Sequence, residues 1–89
     1  MALQMIWQAD VADFDAWHAV FREDREARDH AGLSTLQVWR DPDSPNHAWV
    51  LFRVNDRERA EAFIASEELA MHRERAGIAH VTTRFLETA

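Results

Sequence analysis

The sequence predicts a single α+β domain over residues 1–89, with the element order βαββαβ and the second helical segment split in two. The first observation behind this prediction is a β-hairpin over residues 36–54, where two apolar strand patterns flank the break DPDSPN. Asp, Ser and Asn favour turn geometries and Pro cannot donate to a strand ladder, so this break is expected to form the turn. The second observation is that a strand and a helical segment precede the hairpin, while a helical segment and a strand follow it.

The first strand and the first helix are predicted from the spacing of their apolar residues. Residues 3–8 alternate between two faces, as a strand does. The helix is expected to begin after the N-cap Asp13 and to continue to Gly32, which suits a left-handed C-cap. Its apolar stripe comprises Phe14, Trp17, Val20 and Phe21. Helical spacing continues this stripe to Arg25 and Arg28, so their guanidinium groups are expected at the edge of the surface that the stripe covers.

The second strand of the hairpin has apolar residues on both of its faces. One face, expected to pack against the helices, comprises Ala48, Val50, Phe52 and Val54. The other face comprises His47, Trp49, Leu51 and Arg53. A sheet face that carries Trp and Leu is not expected to remain in water. The chain is also 47% hydrophobic, which is more apolar surface than one small sheet and two helices cover. These features predict a homodimer formed between sheet faces.

The second helical segment and the last strand are predicted from capping residues and from periodicity. Ser66 can cap a new helical piece, which is why the segment is predicted to be split. Leu69 and His72 are three residues apart and share a helix face, so His72 is expected to point in the same direction as the core-facing Leu69. Gly77 is expected to end the helix, and residues 78–86 alternate as the last strand.

Composition excludes several classes of function. The net charge of −6, with sixteen acidic residues against ten arginines, argues against a nucleic-acid partner. No apolar run approaches the roughly 18 residues of a membrane span, and the N-terminus lacks a charged signal-peptide region, so a cytoplasmic protein is expected. The absence of Cys, Lys and Tyr removes thiolate, Schiff-base and phenol chemistry. No metal site is expected, because no His pair has the four-residue helical spacing and DPDSPN lacks the glycine and distal Glu of a calcium loop.

Three segments together resemble the dimeric α+β barrel superfamily, which is ferredoxin-like in fold. They are VADFDAWHAVF, the hairpin DPDSPNHAWVLFRV and the run AEAFIASEELAMHRERAGI. Within that superfamily they look like the small proteins labelled cyclase or antibiotic-biosynthesis-monooxygenase-like. The resemblance implies a homodimer in which two four-stranded antiparallel sheets face each other, with a pocket in each subunit between the sheet and its helices. Members include polyketide cyclases, cofactor-free oxygenases, haem-degrading enzymes and isomerases, so the fold alone does not assign the reaction.

The candidate catalytic residues are a histidine on the second helical segment, two arginines on the first helical segment and a histidine on the last strand. His72 is similar in position to a histidine that lines the pocket in haem-degrading and cyclase relatives, and a neutral imidazole can act as a general base. A hydrogen-bonded structural His is the alternative for this position. Arg28 or Arg25 could bind an oxyanion or a carboxylate, or could instead extend its head group to water. His80 is a second candidate base, with a dimer-interface role as the alternative. The residues expected to bind substrate besides Arg25 are Trp7, Trp17, Phe21 and Phe63.

The predicted function is that of a cofactor-free enzyme of specialised metabolism. It would cyclise or isomerise an aromatic or polyketide-like substrate by general acid/base chemistry. The alternatives are a cofactor-free monooxygenase and a non-catalytic dimeric binding or stress-response module whose own side chains fill its pocket. No haem or other cofactor is expected, since the haem-degrading relatives use an Asn on the first strand and LQMIWQ has none. An aromatic-lined pocket for a flat ligand is expected from four tryptophans, Trp7, Trp17, Trp39 and Trp49.

Overall fold

The computed structural model describes residues 2–89, apart from the side chains of Glu68 and Arg75. The elements in chain order are β1 (Leu3–Asp10), α1 (Phe14–Glu23), α2 (Arg25–His30), β2 (Leu33–Arg40), β3 (His47–Val54), α3 (Arg57–Ile64), α4 (Glu67–Arg75) and β4 (Ala79–Glu87). The predicted order βαββαβ and the split of the second helical segment are confirmed. The prediction of one continuous first helix is wrong, because that segment is also split.

The first helical segment breaks at Asp24. Its backbone N–H donates to the carbonyl of Val20 and closes α1, while its ψ of 14° departs from the helical value. The start of α1 is as predicted, since the Asp13 side chain accepts from the N–H of Ala16. The expected left-handed end also occurs, with Gly32 at φ 75°. α1 and α2 therefore meet at Asp24, where the backbone changes direction.

The four strands form one antiparallel sheet in the order β2-β3-β1-β4. All helices that contribute to the core pack against one face of this sheet, which we call the helix face. Its strand β3 contributes the predicted face of Ala48, Val50, Phe52 and Val54, each of which is buried. We call the opposite face the open face, and β3 and β1 contribute to it His47, Trp49, Leu51, Arg53, Gln4, Ile6, Gln8 and Asp10.

A register shift in β2 changes the predicted pairing of the hairpin. The ladder pairs Thr35 with Phe52 and then Gln37 with Leu51, so Leu36 is an extra residue that has no partner on β3. Simple alternation predicted that Leu36 shares a face with Val38, and the bulge interrupts that alternation. Val38 still pairs with the buried Val50 on the helix face, whereas Leu36 is 42% exposed.

The core is one cluster between the helix face and the helices. It includes the predicted α1 stripe of Phe14, Trp17 and Phe21, together with Met5 and Val50 of the sheet. Asp56 and Ser66 cap α3 and α4, because each side chain accepts from the backbone N–H group three residues later. Within the described residues, no helix is long and apolar enough to cross a membrane.

The hairpin loop is fixed by its own polar side chains. Asp41 Oδ1 accepts from the backbone N–H groups of Asp43 and Ser44, and its Oδ2 accepts from the Trp49 indole at 3.3 Å. These hydrogen bonds, with the Asp43 amide as the largest contribution, lower the pKa of Asp41 below its ordinary 3.8. Asn46 Oδ1 accepts from the N–H of Phe14, so the loop also positions the first turn of α1.

Candidate functional site

A cavity of about 280 Å³ lies between the helix face and the helices. Fully formed ligand sites typically have volumes of roughly 300–1,000 Å³, and an engineered cavity of roughly 150 Å³ holds benzene, so this space suits a ligand of one or two rings. The walls are mainly apolar and come from both helical segments and from the sheet. The structure places six of the predicted site residues around this cavity: Trp7, Trp17, Phe21, Arg28, Phe63 and His72.

Aromatic rings form one wall of the cavity. Trp7 on β1 stacks on Trp17 of α1 with a centroid separation of 5.6 Å and an interplanar angle of 6°. Phe21 follows one turn later on α1, with its ring centroid 5.1 Å from that of Trp17. Stacked indoles present a flat, polarisable surface that suits the face of another aromatic ring. The expectation of four tryptophans around one pocket is wrong, because Trp39 and Trp49 pair with each other on the open face.

Arg28 lies in the cavity wall and has an incomplete set of hydrogen bonds. Its Nη1 donates to the carbonyl of Phe21 at 2.6 Å, and its guanidinium carbon lies 3.6 Å from the centroid of the Phe21 ring. Its Nε is buried and has no acceptor among the described residues. Burial lowers the pKa of Arg28 below its ordinary value, and the carboxylates of Asp24 and Asp29 act in the opposite direction. An arginine remains protonated in proteins, so Arg28 places a positive charge in this wall.

His72 makes a contact with a carboxylate that sequence reasoning missed. Its Nε2 lies 3.3 Å from Oδ2 of Asp24, and both side chains line the cavity. The two side chains are 42% and 48% exposed, so the pair lies at the solvent side of the cavity. Asp24 precedes Arg28 by four residues, a spacing that places side chains on one helix face, but no signal in the sequence links Asp24 to His72 on α4. The contact joins α4 to the junction between α1 and α2.

The remaining predicted residues, Arg25 and His80, lie away from the cavity. The Arg25 side chain is 81% exposed and approaches Asp29 at 3.8 Å. His80 has a φ of 55° beside a register shift in the β1–β4 ladder, and its Nδ1 donates to Asp10 Oδ2 at 2.8 Å. The other carboxylate oxygen of Asp10 accepts from His47 Nδ1 at 2.7 Å. These two hydrogen bonds, that from His47 first, lower the pKa of Asp10 below 3.8.

Metal ligation finds no support in the part of the chain that the structure describes. No group of three His, Cys, Asp or Glu side chains there has an arrangement that could hold a metal ion. Asp10, His47 and His80 do lie together among the described residues. In both imidazoles, however, Nδ1 donates a hydrogen bond to the Asp10 carboxylate.

Neither a protein-family model nor a curated protein sequence matches the chain. Solved structures do match it over almost its whole length. An antibiotic biosynthesis monooxygenase has a TM-score of 0.68 at 18% identity, with 98% of each chain covered. SnoaB from Streptomyces nogalater, a cofactor-independent oxygenase, has a TM-score of 0.69 at 13% identity and covers 98% of this chain and 92% of its own.

A third similar structure, protein PA3566 from Pseudomonas aeruginosa, has a TM-score of 0.63 at 21% identity, with 99% of this chain and 94% of that chain covered. Identities this low establish the common architecture and leave the reaction open. The sheet order, the two helical segments on one face and these matches agree with the fold that the sequence resemblance implied. The chain has the ferredoxin-like α+β fold of the antibiotic biosynthesis monooxygenase-like proteins.

Proposed function

We propose that the protein is a cofactor-free enzyme that removes a proton from an aromatic or polyketide-like substrate bound in the cavity. The observation that carries this proposal is the convergence of Asp24, Arg28 and His72, with Arg73 also in the lining, on a mainly apolar cavity with a stacked indole wall. An apolar pocket with a few convergent polar groups is the usual form of a small-molecule site. The apolar wall would hold the rings, and the polar groups would act on a carbonyl at the edge of the ligand.

His72 serves as the general base in this proposal. When its Nε2–H donates to Asp24, the lone pair of Nδ1 is free to accept a proton, and the carboxylate stabilises the imidazolium that forms. The carbon–hydrogen bond next to a substrate carbonyl breaks and its proton goes to Nδ1. Its electron pair forms the carbon–carbon double bond of the enolate, while the π pair of the carbonyl moves to the oxygen. Reprotonation at another carbon would give isomerisation, and attack of the enolate carbon on a second carbonyl would give cyclisation.

Arg28 stabilises the negative charge that develops on the substrate oxygen. Arg28 lines the cavity and carries a positive charge, so an enolate oxygen that forms beside it would be stabilised by that charge and by a guanidinium N–H. The donor would be an Nη N–H, because Nε is buried from the cavity and has no acceptor among the described residues. Stabilisation of charge by a donor that is already in place is among the largest contributions to enzymatic rate.

Oxygenation is the second candidate reaction, and the structural likeness to a cofactor-independent oxygenase favours it. The same deprotonation would begin that reaction, because an enolate is electron-rich enough to reduce dioxygen. The two outcomes differ in oxygen consumption, so an oxygen electrode separates them. Oxygen uptake that requires both substrate and His72 would assign the oxygenase reaction. Conversion of the substrate without oxygen uptake would assign cyclisation or isomerisation.

Proton removal can be tested before the natural substrate is known. The probe is 2-tetralone, a two-ring aromatic ketone, and the measurement is deuterium exchange next to its carbonyl, followed by NMR in D₂O. We expect the protein to accelerate the exchange and His72→Ala to lower that rate by a factor of about 10²–10⁴, with a melting temperature within a few degrees of the parent. His30→Ala, which removes a histidine at the end of α2 outside the cavity lining, is the control and should retain the rate. An undiminished rate in His72→Ala would overturn the assignment of the base.

The proposed assembly is a homodimer that buries the open face. Trp39 and Leu86 are 43% and 46% exposed on that side of the sheet, which is unusual for such large apolar residues in a protein of this size. Sedimentation of Leu51→Glu, at the centre of the open face, should give a monomer. Met71→Glu on α4, where the parent residue is 54% exposed, adds the same charge elsewhere and should remain dimeric. A monomeric parent protein would overturn the proposed dimer.

A further inference from the structure

A second cleft lies between the first helical segment and the edge strand β2. Its volume is about 440 Å³. The polar residues that line it are His18, Arg22, Arg25, Arg28, Asp29, Ser34 and Thr35. We call this space the basic cleft. The three arginines are spaced three residues apart in the chain, which places them on one side of the helical segment even though it breaks at Asp24.

The charge of the basic cleft is opposite to that of the whole protein. The chain has a net charge of −6, yet three of its ten arginines line this cleft. Asp29 is the one carboxylate in its lining, and its contact with Arg25 is long at 3.8 Å and exposed. Asp24 lies outside the lining of the cleft, with its carboxylate 3.3 Å from His72, but its charge still acts on Arg28. Three guanidinium groups against these two carboxylates leave a net positive charge that an anion would balance.

A hydroxyl group from β2 adds to the polar lining. Thr35 pairs with the buried Phe52, so its side chain lies on the helix face, where it lines the cleft. Ser34 pairs with Arg53, so its side chain lies on the open face, where its Oγ accepts from Asn55 Nδ2 at 3.0 Å. The lining therefore offers donors from two elements, and a guanidinium fork matches the two oxygens of a carboxylate.

The basic cleft and the cavity share part of one wall. Phe21 and Arg28 line both spaces. We propose that the basic cleft binds the carboxylate of a ligand whose rings occupy the cavity, so that the substrate class is an aromatic acid with its acidic group on a side arm. This inference rests on the proposed function of the cavity as the ring-binding site. It assigns Arg25 to ligand binding in the cleft, together with Arg22.

A matched pair of probes tests the inference. The probes are 4-(1-naphthyl)butanoic acid and its primary amide, which have the same ring and side arm and differ in charge. Binding is measured by calorimetry at low salt, because exposed charges are screened by salt. We expect the acid to bind the parent protein about tenfold more tightly than the amide, a difference of about 1.4 kcal/mol.

The variant Arg22→Gln/Arg25→Gln should bind the acid about as weakly as the amide, while its affinity for the amide stays that of the parent. The control Arg57→Gln/Arg59→Gln removes two positive charges from α3, outside the lining of either space, and should keep the preference for the acid. Equal affinities for both probes in the parent, or a preference for the acid that survives in Arg22→Gln/Arg25→Gln, would overturn carboxylate binding in the basic cleft. Neither result would contradict ring binding in the cavity. Failure of both probes to bind would overturn the ring-binding function and the cleft with it.

Discussion

Replacement of Arg28 by Met separates the structural role of this residue from its proposed catalytic role. Met keeps an apolar stem of similar length over the Phe21 ring and removes the guanidinium. The change therefore deletes the 2.6 Å hydrogen bond to the Phe21 carbonyl and the cation–π contact at 3.6 Å. It also removes the buried Nε, which has no acceptor among the described residues.

The expected change in stability is small because these effects oppose each other. Loss of a hydrogen bond from a charged donor costs about 1.5–3 kcal/mol, and loss of a partly exposed cation–π contact costs about 0.5–1 kcal/mol. Removal of an unpaired buried donor stabilises the folded state by about 1–3 kcal/mol. We therefore expect Arg28→Met to lower the free energy of unfolding by about 1 kcal/mol, whereas loss of one oxyanion donor should slow exchange of 2-tetralone by a factor of about 10²–10³.

Two measurements on the same samples test this prediction. Urea denaturation gives the free energy of unfolding, with parent and variant at equal protein concentration because a dimer's stability depends on concentration. Deuterium exchange of 2-tetralone gives the catalytic effect. A loss of more than about 4 kcal/mol together with an unchanged exchange rate would show that Arg28 is a structural residue, since effects of that size have structural causes.

Three further substitutions test the fold and its response to pH. Val50→Ala, at a fully buried site on the helix face, should lower the free energy of unfolding by about 2 kcal/mol in urea titrations. Asp13→Ala, which removes the N-cap of α1, should lower it by about 1 kcal/mol, and an unchanged urea midpoint would contradict the capping role. The pKa of Asp10 is held below 3.8 by His47 and then His80, so its contribution to stability is complete above that value and is lost as pH falls through the lower folded pKa. Asp10→Asn should therefore be less stable than the parent at pH 6 and should approach it at the acid end of a urea–pH series.

The local features of the fold could be predicted because each depends on a short stretch of sequence. Asp13 and Ser66 cap helices through N–H groups three residues away, and alternation with a period of two assigned the two faces of β3. The same alternation places Trp49 and its neighbour Val50 on different faces of β3, and Val50 is on the buried face. The sequence therefore already contained a signal against Trp49 joining Trp7 in one pocket.

Features that depend on pairing between distant residues could not be predicted. The extra residue Leu36 is defined by its lack of a partner on β3, and a single bulge alters the faces on each side of it. The contact of His72 with Asp24 joins residues 48 positions apart, and it requires the break in the first helical segment. His80 faced the open side of the sheet as alternation suggested, but its bond to Asp10 depends on the register shift between β4 and β1.

The proposed function requires that the cavity bind an aromatic ring against the stacked pair Trp7 and Trp17. Four indole N–H resonances report on it directly, because Trp39 and Trp49 lie on the opposite face of the sheet and serve as internal controls. In a titration with 4-(1-naphthyl)butanamide, the neutral probe, ¹H–¹⁵N spectra should show saturable shifts of the Trp7 and Trp17 resonances. The Trp39 and Trp49 resonances should stay in place. Saturable shifts confined to Trp39 and Trp49, or none at all, would contradict the account.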